Sequence, residues 1–201
     1  LFFFSKIQRN DSFELRKALR NHDIDKLILS SRGGSVFEGL QMAGIIHDKG
    51  LTTYVPKIGL DGSGNCASAC SFMFFGGYER LSEGALGVHQ FASYDQEKTA
   101  NAVKTQGDSQ YLVSEIIGFL NEFKTPPFVF EKMFYTRPDE MYWFTSEDTA
   151  RLNSNFFNME FTVQSAVTTY TSEKLSEITT EKLLRSNYSV KELISLIQKR
   201  L

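Results

Sequence analysis

No stretch of this chain approaches the roughly twenty uninterrupted apolar residues that a membrane-spanning helix requires. The opening Leu1-Phe2-Phe3-Phe4 is far too short and reads as an edge or core strand. Charge of one sign is also lacking. With 22 Lys and Arg against 24 Asp and Glu the formal charge is −2, so there is no general basic footprint for nucleic acid or an anionic membrane. Cysteine is nearly absent: only Cys66 and Cys70 occur, and two ligands without a histidine pair beside them do not make a tetrahedral metal site. No internal repeat or low-complexity tract stands out. What is present is ordinary globular composition, 201 residues of which 41% are apolar and 23% charged. Such a chain can bury a substantial core and suits one domain plus an appendage.

The chain alternates strand and helix patterns. Leu1 to Ile7 is strand-like, and Asp11 or Ser12 can cap a helix running to about Leu19. Leu27-Ile28-Leu29 reads as a buried strand ending in Ser31-Arg32-Gly33-Gly34-Ser35, after which a helical pattern from Val36 stops near Gly50. Thr52 to Ile58 is a further strand, Gly59 to Asn65 a glycine-rich loop, Ala67 to Phe75 a helix apolar on most sides, and Gly84 to Gln90 a short strand ending at His89. Asp95 to Ser109 is polar and reads as a mobile loop, Tyr111 to Phe123 is a helix, and Phe128 to Phe134 follows the break at Pro126-Pro127. Beyond Phe157 come a strand pattern at 161–169 and two amphipathic helices at 172–184 and 189–201. These patterns predict an α/β fold, repeated βα units around a mainly parallel sheet, over 1–158, with a mainly helical extension over 159–201.

The chemistry concentrates in Cys66-Ala67-Ser68-Ala69-Cys70. Acyl transfer needs a nucleophile, a base to take its proton, and backbone N–H donors for the oxyanion. Ser68 at a loop-to-helix junction, His89 downstream and the pair Gly33-Gly34 upstream are one candidate for each. The plainer alternative makes Ser68 a helix cap and His89 a structural histidine. The isolated cysteine pair fits a disulfide in an oxidising compartment, and equally two buried thiols in a cytosolic protein. A bridge between residues four apart in a helix, about 6 Å between Cα atoms, would require a distorted first turn.

Taken in order, Leu29-Ser30-Ser31-Arg32-Gly33-Gly34-Ser35, then Cys66-Ala67-Ser68-Ala69-Cys70-Ser71-Phe72 with Gly76-Gly77, then Gly87-Val88-His89-Gln90, resemble the ClpP/crotonase superfamily in its ClpP-like serine peptidase branch. The nearest likeness is to exported bacterial ClpP-like proteins with a Cys-Ala-Ser-Ala-Cys segment, and it covers roughly the first 155 residues. The resemblance implies Ser68 as nucleophile, His89 as general base, and the N–H groups of Gly34 and Ala69 as the oxyanion hole. It implies a peptide or protein substrate, a homo-oligomer assembled through the Tyr111 to Phe123 region or the tail, and no metal or organic cofactor. The expected location is the bacterial periplasm or another exported site, with the cytoplasm as the alternative.

Two positions depart from the family pattern. Where the triad aspartate belongs, the alignment on Trp143-Phe144-Thr145-Ser146 places Met141, leaving Asp139 as the nearby acid that could orient His89. Arg32 stands in place of a common proline, next to Gly33 in the expected substrate-binding turn, and could position a carboxylate or phosphate or merely solvate the loop. A serine peptidase acting through an acyl-enzyme is therefore the expected function. The rivals are a non-catalytic member kept for peptide binding or assembly, and crotonase-type chemistry on acyl-CoA thioesters, which has no need of a Ser-His pair.

Overall fold

The computed structural model describes residues 1–57, 64–91 and 102–153, with 102–106 as backbone only. The extension expected over 159–201 lies outside the described residues, as does the stretch 92–101.

A four-stranded parallel sheet forms from β1 (Phe2–Phe3), β2 (Lys26–Leu29), β3 (Thr52–Val55) and β5 (Glu79–Ser82), in that spatial order. Ile28 lies opposite Phe2 on one side and Tyr54 on the other. Parallel neighbours cannot be joined by tight turns, so α1 (Asp11–Asn21) and α2 (Val36–Asp48) carry the chain back between them. A second sheet pairs β4 (Asn65–Ala67) with β6 (Ala85–Val88) in parallel, and β6 with β7 (Tyr142–Trp143) antiparallel. The fold is thus α/β, with repeated βα units and a mainly parallel sheet.

Leu27 to Leu29 are buried on both faces of the sheet, which accounts for their continuous apolar run. The central element is α3 (Ala69–Phe75), whose residues are all buried. It lies against α2 at backbone distance: a Cβ on Gly39 would sit 2.7 Å from the Ala69 carbonyl oxygen, so only glycine permits the approach. The later helices α4 (Ala102–Glu122), α5 (Pro127–Tyr135) and α6 (Ser146–Leu152) add Ile116, Leu120, Val129, Met133 and Leu152 to the core.

Several elements differ from the sequence reading. The segment read as loop and helix start, Asn65 to Ala67, is strand β4, and the helix begins at Ala69. Its backbone is claimed by Ser31 on one side and β6 on the other, and three residues carry no periodicity that a sequence can display. Elements β5, β7 and α6 went unread because little of each is buried, so none carries an apolar run. The expected strand Leu1 to Ile7 is confined to Phe2–Phe3 plus one bridge between Ile7 and Gly34. Residues 102–109, read as loop, are helical.

The start of α1 is stabilised from another helix. Neither Asp11 nor Ser12 caps it: Asn10 holds the cap position in a left-handed conformation without a side-chain bond. Buried Glu38, in the first turn of α2, accepts the N–H groups of Asn10 and Ser12, both at 2.9 Å. Burial raises the Glu38 pKa, but the bonds from Ser12 and Asn10, with Arg9 nearby, outweigh it and leave the carboxyl below the ordinary glutamate value. Its stabilisation is therefore complete above that value and lost as pH falls through the folded-state pKa. Glu38→Gln should cost about 1–2 kcal/mol at neutral pH. In urea titrations the gap between wild type and variant should close as the pH drops below the ordinary glutamate range.

Candidate active site

Three segments leaving the carboxyl ends of parallel strands meet at one place: 31–34 after β2, Ser68 after β4 and His89 after β6. Crevices of open α/β sheets form at such ends. Ser31 joins the segments. Its N–H donates to the Asn65 carbonyl at 2.8 Å and its carbonyl accepts from the Ala67 N–H at 3.0 Å, linking β2 to β4. Its hydroxyl donates to the Ser5 carbonyl at 2.7 Å and accepts from the Gly33 N–H at 3.1 Å. The Ile7 N–H then reaches the Gly33 carbonyl, and the Ser35 N–H the Ile7 carbonyl, at 2.9 and 3.0 Å.

Ser68 occupies a strand-to-helix turn with φ 56° and ψ −126°, a conformation rare for a residue with a side chain. Such a geometry costs on the order of 1–3 kcal/mol and persists only where its surroundings dictate it. Here they do. The Ser68 N–H donates to the Gly87 carbonyl at 3.0 Å, and its carbonyl accepts from the Ser71 N–H and hydroxyl at 2.9 and 2.7 Å. Cys66 and Cys70 form a disulfide across the turn, with their Cα atoms 5.2 Å apart. Because Cys66 lies in β4 and Cys70 in α3, the bridge spans strand and helix, and no helical turn is distorted to make it.

Ser68 holds the N-cap position of α3, but its side chain makes no capping bond, and the residue is part-buried. Gly33, with φ +88°, lies directly on the turn: a Cβ there would sit 2.6 Å from the Ala67 carbonyl oxygen and 2.9 Å from the Ala69 nitrogen. Neither the Gly34 nor the Ala69 N–H has an acceptor among the described residues.

Ser68 and His89 line the same cavity of about 490 Å³, together with Arg32, Gly33 and Gly34. Phe4, Val36, Phe91 and Met141 supply its apolar wall, and Lys6 reaches it from the N-terminal segment. No hydrogen bond joins Ser68 to His89 among the described residues. The chain just after His89 is held firmly: the Gln90 N–H donates to the Thr136 carbonyl, and its side-chain amide to the Phe134 carbonyl. Burial lowers the His89 pKa, and a backbone interaction with Pro138 offsets this in part. Nδ1 of the ring is enclosed, with no hydrogen-bond partner in the described structure.

Asp139 does not fill that place. It is exposed, it does not line the cavity, and its carboxylate pairs with Arg137 at 3.2 Å. Met141 stands in the cavity wall beside β7, without the charge or acceptor that an orienting acid would bring.

No protein-family model and no curated protein matches the chain. Among solved structures it is similar to a ClpP1 mutant from Listeria monocytogenes, at 14% sequence identity over 76% of this chain and 86% of that chain, with a TM-score of 0.48.

Sequence reasoning located Arg32, Gly33, Gly34, Ser68, Ala69 and His89, and the structure brings their segments together. It missed Lys6 and Ser31. Lys6 enters through the bridge from Ile7 to Gly34, which leaves no local pattern, and Ser31 acts through backbone groups that every residue has. Gly33→Ala should lower stability by about 2 kcal/mol in denaturant titration, because the added methyl meets backbone in a left-handed conformation. Gly107→Ala, where an added Cβ meets nothing, should be neutral or slightly stabilising.

Proposed function

We propose that the protein is a serine hydrolase, most readily a peptidase, working through an acyl-enzyme at Ser68. The observation that carries this reading is the Ser68 turn: a serine without a capping bond in a φ 56° strand-to-helix turn, lining one cavity with a histidine whose pKa is lowered. Turns of that kind present nucleophilic serines at the top of α/β sheets.

In the reaction Ser68 Oγ attacks the substrate carbonyl carbon while His89 takes its proton. The N–H groups of Gly34 and Ala69, which have no other acceptor among the described residues, are the donors for the developing oxyanion. Collapse expels the amine, which leaves with the proton from His89. Water, deprotonated by the same imidazole, then attacks the ester, and the imidazolium returns that proton to Ser68 Oγ as the acid product leaves. Burial matters here because it keeps His89 neutral, and hence basic, at lower pH. The disulfide is compatible with an exported protein. Among the described residues no helix is long and apolar enough to cross a membrane. Self-association through α4, where Tyr111 and Ile117 are exposed, belongs to the same reading.

One observation favours a second reading, a retired hydrolase that binds peptides. His89 has neither a hydrogen bond to Ser68 nor a partner for Nδ1 among the described residues. Losing the orienting acid of a triad lowers turnover by about 10⁴-fold.

A fluorophosphonate probe separates the two. Labelling mapped to Ser68 by mass spectrometry, abolished in Ser68→Ala and reduced at least about a hundredfold in His89→Ala, is expected for the hydrolase. Absence of labelling at Ser68 in the wild-type protein would support the binding reading. The labelling rate should also fall on the acid side with a midpoint below about 6.5, the ordinary histidine value, since the neutral imidazole is the active form. A midpoint at or above that value would mean that another group is the base.

A further inference from the structure

Among the described residues, Lys6 and Arg32 line the cavity and no Asp or Glu does. Neither cation has an ion-pair partner among the described residues. Both residues are exposed, and they leave backbone segments that are tied to each other. The Ile7 N–H donates to the Gly33 carbonyl and the Ser35 N–H to the Ile7 carbonyl, so Lys6 and Arg32 flank a single β-bridge next to the Ser68 turn. The hydroxyl of Ser31 ties the same two segments together through Ser5 and Gly33.

The chemistry of the pair is specific. A guanidinium offers a planar fork that matches a carboxylate, and an ammonium adds a compact point charge. Phe4, Val36, Phe91 and Met141 give the remainder of the cavity an apolar wall, so a bare inorganic anion would leave most of it unfilled. A volume of about 490 Å³ suits a segment of side chain and backbone. Sequence alone left Arg32 with two roles, positioning an anion or solvating a loop. The convergence of Lys6 from a different segment separates them, because loop solvation needs no second cation in the same cavity.

We propose that Arg32 and Lys6 make this a site for peptides bearing a carboxylate close to the bond at Ser68, next to apolar groups that fill the wall. The carboxylate has two possible sources, an acidic side chain or a free C-terminus, and the chemistry that recognises it is common to both. This inference rests on the hydrolase reading for its substrate class, and it deepens that reading by assigning specificity.

The test uses the full-length protein and matched fluorogenic peptides: Glu against Gln at each position, and C-terminal acid against C-terminal amide. Wild type should cleave the carboxylate member of at least one set about tenfold faster in kcat/KM, the scale expected of two partly exposed charge contacts. The set that shows the preference identifies the source. The ratio should fall as ionic strength rises. It should shrink in Arg32→Gln and in Lys6→Gln, disappear in Arg32→Glu, and invert when Arg32→Glu is combined with Lys6→Gln. Equal cleavage of both members, or a ratio that neither salt nor these variants change, would overturn the proposal.

Failure of the underlying reading has a different signature, no cleavage of any peptide and no fluorophosphonate adduct at Ser68. In that case the same pairs are titrated by fluorescence anisotropy. A salt-sensitive preference for the carboxylate member, weakened in Arg32→Gln, upholds the anion site on a binding protein. Indifference to the carboxylate overturns it.

Discussion

Four hydrogen bonds converge on Ser31, and the architecture around the cavity follows from them. Its backbone N–H and carbonyl stitch the end of β2 to β4, so the four-stranded sheet and the smaller sheet become one scaffold. Its hydroxyl, donating to Ser5 and accepting from Gly33, fixes the N-terminal segment and the glycine turn against the same point. A buried serine with both functions of its hydroxyl satisfied is inexpensive to bury, whereas an unsatisfied one there would cost about 1–3 kcal/mol. The Ser68 turn therefore sits on a frame that does not yield, and a strained conformation can persist only on such a frame.

Close backbone approach is the second constraint. Gly33 rests on the turn and Gly39 on the first residue of α3, each at distances where a methyl group would overlap backbone atoms. The glycine turn and the serine turn are thus packed parts of one another. This is why Gly33, far away in sequence, lies against the nitrogen of Ala69. In the same cavity His89 is part-buried, and Gln90 beside it is held by bonds to the Thr136 and Phe134 carbonyls.

What was legible in the sequence depended on length and on locality. Continuous apolar runs such as Leu27 to Leu29 and Phe72 to Phe75 marked β2 and α3 because burial on all sides leaves no alternation to misread. Short strands without a buried apolar run left no pattern: β4 lay across the boundary between a loop reading and a helix reading, and β7, two residues on the surface side, was not read at all. The polar first turns of α4 obscured its helical start, and Glu38 as the cap of α1 could not be foreseen, since the bond spans two helices. At the site, Ser68, His89 and the glycines were visible through their mutual spacing. The isolation of Asp139 was not, because three residues of chain decide whether a carboxylate faces a histidine or, as here, pairs with Arg137.

The disulfide has a consequence of timing. Both of its residues are fully buried, so no thiol in solution can reach the sulfurs once the domain has formed. A ring this small restrains the disordered chain only weakly compared with a long-range crosslink, and its influence is concentrated on the turn itself. Oxidation must therefore be completed while the polypeptide is still open. After that, the shape around Ser68 is a lasting imprint of the redox surroundings in which the chain folded, independent of those it later meets.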